Sequence, residues 1–370
     1  MRYYIIAGER SGDLHGGNLV KALKDYDKDA ALRGFGGEYM QQAGVALAVH
    51  YREMAFMGLA EILTNLNKIS QYIKRCKADI DQFKPDVIIL IDYGGFNRRI
   101  AKYGKKMGIK VFYYIPPKVW AWYQSRAKEI KANVDKLFVI LPFEKEFYKK
   151  FDWAVDYVGN PVLDAVNSHV PDKGFSEKIA LKPTQPVVAL LPGSRKQELI
   201  RIIPLMADVV KHNRDYQFVV AEVDNLDPHL YDPLRNLDNV KFVIEKTYDV
   251  LLNSNAAIVT SGTATLETAL FNVPQVVVYK TSGITYQLVK RLIKVPFISL
   301  VNLIADKEVI KELIQTNAAE SQISAELNQL ISGERRNAVL ADYKELRNRL
   351  DAGGSASDNT ARLMWNYLNR

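Results

Sequence analysis

One rhythm constrains this chain more than any other feature, and it occurs twice. Short apolar runs rich in β-branched and aromatic residues alternate with helical patterns. In the first half the runs are Tyr3–Ala7, Val87–Asp92, Lys110–Ile115 and Lys136–Ile140. Between them lie the helical stretches Asp13–Lys24, Gly58–Phe83 and Phe96–Met107. Buried strands separated by helices are the signature of parallel βαβ units. Right-handed crossovers then stack the helices on the faces of one sheet.

The rhythm breaks between Asn167 and Pro186, where Pro171, Gly174, Pro183 and Pro186 interrupt a stretch without apolar period, and this segment reads as a linker. A second series follows: Val187–Leu191, Gln217–Ala221, Val240–Ile244, Ala256–Thr260 and Gln275–Tyr279. A chain of 370 residues is long for one core and comfortable for two. The expected plan is an α/β domain over residues 1–168, a second over 187–350 and a C-terminal helix within 355–370. Gly353-Gly354-Ser355 separates that last helix from the preceding one, and its Leu363, Met364, Trp365 and Leu368 require a surface, either the first domain or a partner subunit. The expected ligand position is a cleft between the two halves, beyond the carboxyl ends of the strands.

Composition narrows the class. Hydrophobic residues make up 48% and charged residues 25%, the balance of a soluble globular protein. No apolar run approaches the length that crosses a bilayer, and Met1-Arg2-Tyr3-Tyr4-Ile5-Ile6 enters a strand without a signal peptide's core, so a cytoplasmic location is expected. Cys76 is the only cysteine, which excludes an internal disulfide and a thiolate cluster. The formal charge of +8 favours acidic partners, among them nucleotide phosphates and anionic membrane surfaces.

The chemistry-bearing residues gather at strand ends. The first strand runs into Gly8-Glu9-Arg10-Ser11-Gly12-Asp13, where glycines permit close backbone approach to a ligand and Ser11 or Asp13 equally suits a helix cap. The spacing is not that of a dinucleotide fingerprint, and the chain has no Walker-type phosphate loop. Asp92 ends another strand and is followed by Tyr93-Gly94-Gly95-Phe96-Asn97; its carboxylate is placed either to take a proton from an attacking hydroxyl or to cap a turn. In Pro116-Pro117-Lys118-Val119-Trp120-Ala121-Trp122 the tryptophans line an acyl or sugar site or fill the core. In the second half, Pro192-Gly193-Ser194-Arg195 opens one helix and Ser261-Gly262-Thr263-Ala264-Thr265-Leu266-Glu267 opens another. Helix N-termini attract phosphate, arginine adds a bidentate donor and Glu267 is spaced to receive ribose hydroxyls, unless the arginine is a surface residue after a turn and the second motif a capping-box-like helix start. Two such cradles in one domain suit a diphosphate. No cluster of carboxylates or histidines has metal-ligand spacing; His15 alone among the histidines lies near a motif.

Taken together, Ala7–Asp13, Phe56-Met57-Gly58-Leu59-Ala60-Glu61, Ile91-Asp92-Tyr93, Phe96-Asn97, Val119–Trp122, Leu141-Pro142-Phe143-Glu144, Leu191–Arg195, Ser261–Glu267 and Asn302-Leu303-Ile304-Ala305 closely resemble the lipid-A-disaccharide synthase family, in family order through most of the chain. The resemblance implies a GT-B fold, two Rossmann-like domains facing across a cleft. It also implies inverting transfer from UDP-2,3-diacylglucosamine to 2,3-diacylglucosamine 1-phosphate, giving a β-1,6 disaccharide 1-phosphate and UDP.

On that resemblance, Asp92 is the general base. Gly193, Ser194, Arg195, Gly262, Thr263, Ala264, Thr265, Glu267 and Asn302 hold the UDP-sugar, and Ser11, Gly12, Asp13 and Asn97 line the acceptor side. No metal, cofactor or nucleic acid is implied; a homodimer is compatible. Gly94, Pro116, Asn160, Val301 and Asp306 depart from the family's usual proline, serine, histidine, proline and glycine. An apolar stripe carrying Leu59, Ile62, Leu63, Leu66, Ile69 and Ile73, extended by Met57 and flanked by Lys68, Lys74, Arg75 and Lys77, reads as a membrane and acyl-chain surface or as a helix packed on its sheet. The rival enzyme reading is another UDP-sugar enzyme such as a UDP-N-acetylglucosamine 2-epimerase; the rival non-enzyme reading is a membrane-surface binding protein that has lost its chemistry.

Overall fold

The computed structural model describes residues 1–54 and 66–369. They form two compact units, Met1–Pro161 with Asp351–Arg370, and Val162–Leu350. Each is built on one wholly parallel sheet.

In the first unit the strands are β1 (Arg2–Ala7), β2 (Ala31–Gly36), β3 (Ala46–His50), β4 (Val87–Ile91), β5 (Lys110–Tyr114), β6 (Lys136–Val139) and β7 (Asp156–Tyr157). Their order across the sheet is β3-β2-β1-β4-β5-β6-β7. The order reverses between β1 and β4, which pair directly, Tyr3 against Val87 through Ala7 against Ile91. This is the topological switch point of a doubly wound sheet, where ligands bind beyond the strand ends. Both strands are buried on both faces, which is why they read as unbroken apolar runs.

One face packs Tyr3, Ile5, Ala7, Val87, Ile89 and Ile91 on Leu19, Val20 and Leu23 of the helix Arg10–Tyr26. Ala361 and Met364 of the final helix, Ala356–Leu368, complete the same cluster. Of the two surfaces expected for that helix, the structure uses the first domain.

In the second unit the strands are β8 (Val187–Leu191), β9 (Gln217–Glu222), β10 (Val240–Ile244), β11 (Ala256–Thr260), β12 (Gln275–Tyr279) and β13 (Glu312–Ile314). Their order is β10-β9-β8-β11-β12-β13, so the switch point lies between β8 and β11. Both units are Rossmann-like.

Four strands are absent from the sequence reading: β2, β3, β7 and β13. β2 carries an arginine and two glycines, and a Cβ on Gly34 would lie 1.8 Å from the Ile5 carbonyl oxygen, so glycine is there for backbone proximity rather than for a turn. β7 has two residues and β13 three, too short to show a period. The segment read as a linker is also more ordered than expected. It contains the short helix Phe175–Lys178, and Phe175 is buried in the second unit's core beside Val187, Ala189 and Val250.

The helix Leu66–Phe83 buries Ile73, Cys76 and Ile80. For its later turns the apolar stripe is therefore core, and Lys68, Lys74 and Arg75 are exposed. Met57, Leu59, Ile62 and Leu63 lie outside the described residues, and Leu66 is the first residue of the helix. No described helix is long and apolar enough to cross a membrane.

Candidate functional site

Four of the five strand-end motifs stand at the two switch points. Gly8–Asp13 follows β1 and Asp92–Asn97 follows β4; Pro192–Arg195 follows β8 and Ser261–Glu267 follows β11. The fold thus concentrates them where a doubly wound sheet leaves a crevice.

In the first unit Asp92 and Tyr93 both adopt left-handed backbone, with φ of 46° and 49°. Neither is glycine, so the surroundings must hold the turn against its strain. They do so through the backbone of Asp92. Its N–H donates to the Ile115 carbonyl at 3.1 Å. Its carbonyl accepts from Asn97 Nδ2 at 2.8 Å and from the Tyr113 hydroxyl at 2.7 Å. Asn97 Nδ2 also reaches the Ile91 carbonyl at 3.1 Å. The buried Asn97 is therefore a brace for the Asp92 turn, and the acceptor contact expected of it is not what its amide nitrogen makes here. A Cβ on Gly8 would lie 2.2 Å from the Tyr93 ring, so glycine there lets the ring cover the turn.

Burial raises the Asp92 carboxyl above its ordinary value, against the pull of the Tyr93 backbone N–H and the Lys118 charge. A carboxylate with a strengthened claim on a proton is the character wanted in a general base.

Asp13 is fully buried, and its carboxylate accepts from the backbone N–H groups of Gly37, Tyr39 and Met40 at 2.7, 3.0 and 3.1 Å. It caps the helix Glu38–Gln42. Asp13, expected on the acceptor side, holds two elements together through its acceptor lone pairs. Gly12 is buried against Ala7, while Ser11 is exposed. Burial pushes the His15 imidazole down to about 4, which keeps it neutral. Trp120 is core and donates its indole N–H to Glu144 at 3.1 Å, whereas Trp122 is exposed.

Two of the family departures acquire reasons and a third shows what it costs. Gly94 lies against Pro117, where a Cβ would approach to 2.9 Å, so the neighbouring proline leaves no room for another ring. Asn160 donates Nδ2 to the Ile140 carbonyl at 2.9 Å and secures the turn after β6. Asp306 takes a left-handed φ of 56° at the end of the helix Leu300–Ala305, a position that glycine fills more cheaply.

In the second unit Gly193 has a φ of 105°, in the left-handed region. Arg195 stands at the N-cap of the helix Lys196–His212, its side chain 80% exposed and in an ion pair with Glu198 at 3.3 Å. Gly262 stands at the N-cap of Thr263–Leu270, and a Cβ there would meet nothing within 4 Å. The fold itself does not require glycine at that position, and the space beside it is open. Ser194, Gly262 and Thr263 are exposed and Ala264 half-buried. Thr265 is buried, donating its hydroxyl to the Gly262 carbonyl at 2.8 Å. Glu267 accepts from the Tyr248 hydroxyl at 2.8 Å, and burial raises its carboxyl.

Asn302 is placed differently from the expectation. It is fully buried, and its amide is spent inside the protein. Nδ2 donates to the Ile310 carbonyl at 2.8 Å and to Glu312 at 2.9 Å; Oδ1 accepts from the N–H groups of Val309 and Ile310 at 2.8 and 3.0 Å. Two donors and two acceptor sites exhaust an amide, so this side chain organises the domain. The sequence reading missed Tyr248 and Glu312, whose partners lie in other elements and leave no local pattern, and it quoted Glu144 in a family stretch without giving it a role. Among the described residues no group of three or more His, Cys, Asp or Glu side chains is placed to hold a metal.

A family profile described as Lipid-A-disaccharide synthetase matches residues 3–363. A lipid-A-disaccharide synthase of Syntrophus aciditrophicus is 40% identical over 360 residues, covering 95% of this chain and 94% of the relative. Among solved structures, the glycotransferase of kitacinnamycin is similar with a TM-score of 0.69 at 13% identity, covering 99% of both chains. The UDP-GlcNAc 2-epimerase from Neisseria meningitidis, bound to UDP-GlcNAc, is similar with a TM-score of 0.66 at 14% identity, covering 100% of both. At such identities the two structures speak for the fold alone, and that fold is GT-B.

Proposed function

We propose that this chain, which belongs to the lipid-A-disaccharide synthetase family, transfers 2,3-diacylglucosamine from its UDP donor to the 6-hydroxyl of 2,3-diacylglucosamine 1-phosphate. Its family makes it a glycosyltransferase of lipid A biosynthesis. The epimerases share its fold at 14% identity, but the family match runs to the transferase side.

The acceptor hydroxyl attacks the anomeric carbon from the face opposite the leaving group. The new carbon–oxygen bond forms as the bond to the β-phosphate oxygen breaks, and the configuration inverts from α to β. The hydroxyl proton passes to Asp92, and UDP departs with the bonding pair. The observation that carries this reading is the Asp92 turn: a strained, non-glycine, left-handed turn at a switch point, fastened through its backbone and with its carboxyl raised by burial. In the second domain, Gly193, Ser194 and Arg195 at one helix N-terminus and Gly262, Thr263, Ala264 and Thr265 at another are assigned to the diphosphate. Glu267 is assigned to the ribose. The exposed Ser11 and the turn it belongs to are assigned to the acceptor side.

Both substrates carry acyl chains, so the enzyme works as a peripheral protein on the inner face of the inner membrane. The apolar segment with Met57, Leu59, Ile62, Leu63 and Leu66 is assigned to that contact, with the charge of +8 favouring an anionic surface.

Purified protein incubated with the two lipid substrates is expected to release UDP and form the disaccharide 1-phosphate in equal amounts. No UDP release, or turnover of UDP-N-acetylglucosamine without an acceptor, rules the reading out.

A further inference from the structure

The diphosphate cradle at Gly262 is held in place from a distance by a residue that no motif marks. Glu312 opens the short edge strand β13. Its carboxylate receives four hydrogen bonds. Oε2 accepts from the Ile298 N–H at 2.9 Å; Oε1 accepts from the Ser299 N–H at 3.0 Å, the Ser299 hydroxyl at 2.7 Å and Asn302 Nδ2 at 2.9 Å. Four donors fill the acceptor capacity of an ionised carboxyl.

The consequence runs one step further. The peptide group joining Ile298 to Ser299 gives its N–H to Glu312, and its carbonyl accepts the Ser261 hydroxyl at 3.0 Å. Ser261 is the residue before Gly262, from which the helix Thr263–Leu270 departs. A peptide fixed on its N–H side by a negative charge is oriented and polarised on its carbonyl side, which strengthens the bond to Ser261. The Ser299 hydroxyl also caps the helix Leu300–Ala305 through the Asn302 N–H at 3.3 Å, and the exhausted amide of Asn302 backs the carboxylate from behind. Glu312, Asn302 and Ser299 thus form one clamp on the loop that carries Ile298.

We propose that Glu312 is a positioning residue for the donor: it fixes the Ile298–Ser299 peptide, through it Ser261, and so the backbone N–H groups that receive the diphosphate. The proposal rests on the assignment of UDP to this domain. It also gives Asn302 a part in donor binding without contact, since Asn302 holds Glu312.

The test uses the full chain with Glu312→Gln, Ser261→Ala and both together, measured by calorimetric UDP affinity well below each melting temperature and by steady-state kinetics. Glutamine turns an N–H2 group toward donors that need an acceptor. Glu312→Gln is expected to weaken UDP and raise the donor KM roughly tenfold, the scale of one charge-assisted hydrogen bond, with kcat at saturating donor nearly unchanged. Ser261→Ala is expected to weaken UDP in the same direction, and the double variant to be no weaker than Glu312→Gln alone. A role confined to stability would lower the melting temperature and leave UDP affinity where it was. Wild-type affinity in folded Glu312→Gln, or full additivity in the double variant, overturns the proposal. If Glu312→Gln does not fold, wild-type affinity in Ser261→Ala overturns it. A wild-type protein that does not bind UDP overturns the donor assignment itself, and this inference with it.

Discussion

At the residue scale the chain separates side chains that meet substrate from those that hold them. By the proposed function, Asp92 and Arg195 belong to the first kind. Asn97, Asp13 and Asn302 sit in equally family-like stretches, yet the donor–acceptor account of Asn302 closes within the protein and Asp13 takes three backbone donors there. Sequence could not draw this line, because a buried amide and a substrate-facing amide are spelled alike. Asp92→Asn keeps the shape of the turn, whose bonds run through the backbone, and removes the base. Turnover is expected to fall roughly a hundred- to ten-thousandfold with UDP affinity unchanged. Because burial raises the Asp92 carboxyl, the acid limb of the wild-type pH–rate profile is expected above the ordinary carboxylate range. A variant that turns over near the wild-type rate would reduce Asp92 to a turn residue. Arg195 is 80% exposed and paired with the nearby Glu198, so Arg195→Ala is expected to leave folding intact. Loss of one charge-assisted contact to phosphate weakens UDP by about 1.5–3 kcal/mol, read by calorimetry.

At the element scale, the strands flanking each switch point were the legible part. β1, β4, β8 and β11 are buried on both faces, and the polar or small residues that end them stand out against that background. The strands β3, β7 and β13 were not legible: two or three residues carry no period in β7 and β13, and β3 buries only Val49 fully, whereas the edge strand β10 was read. A clamp such as that of Glu312 was invisible for a related reason: its donors lie ten to fourteen residues away, in a loop and the first turn of the next helix. The turn after β6 shows how such an element can be tested. Glu144 is fully enclosed there, accepting from Trp120, Leu141 and Ile140. Burial raises its carboxyl from 4.5 to about 7, more than those bonds and Lys118 lower it. Over that interval the folded chain keeps a proton that the unfolded chain has released. The stability this group supplies is therefore full below the unfolded value and lost as pH rises to about 7, a change of about 3 kcal/mol. Melting temperature is expected to fall across that window, and Glu144→Gln, neutral throughout, to flatten the dependence. A wild-type slope that persists in Glu144→Gln would place its origin elsewhere.

At the scale of the whole molecule, the first domain is discontinuous. The chain builds it over Met1–Pro161, leaves to build Val162–Leu350, and returns with Asp351–Arg370 to finish it. The amphipathic pattern of the last helix announced that it must pack, but not on what, because amphipathicity records a buried face and not the identity of its partner. The structure answers with Ala361 and Met364, fully buried beside Ile5, Leu19 and Ile89, and with Tyr367 hydrogen-bonded to Asp156 at 3.2 Å. A substitution near the C-terminus should therefore weaken the domain that begins at the N-terminus. Met364→Ala leaves a cavity in that core and is expected to cost about 2–5 kcal/mol, carried by the first domain alone. The second domain has a separate core, in which Val187, Ala189 and Leu191 of β8 pack with Val219, Ala257 and Val259, and among the described residues none from the last helix enters it. In a calorimetric scan the transition belonging to the first domain should move down, and UDP affinity measured below that transition should match wild type. A drop in UDP affinity at temperatures where both domains remain folded would show that the last helix also serves the donor half, and the division of labour argued for the two cores would fail.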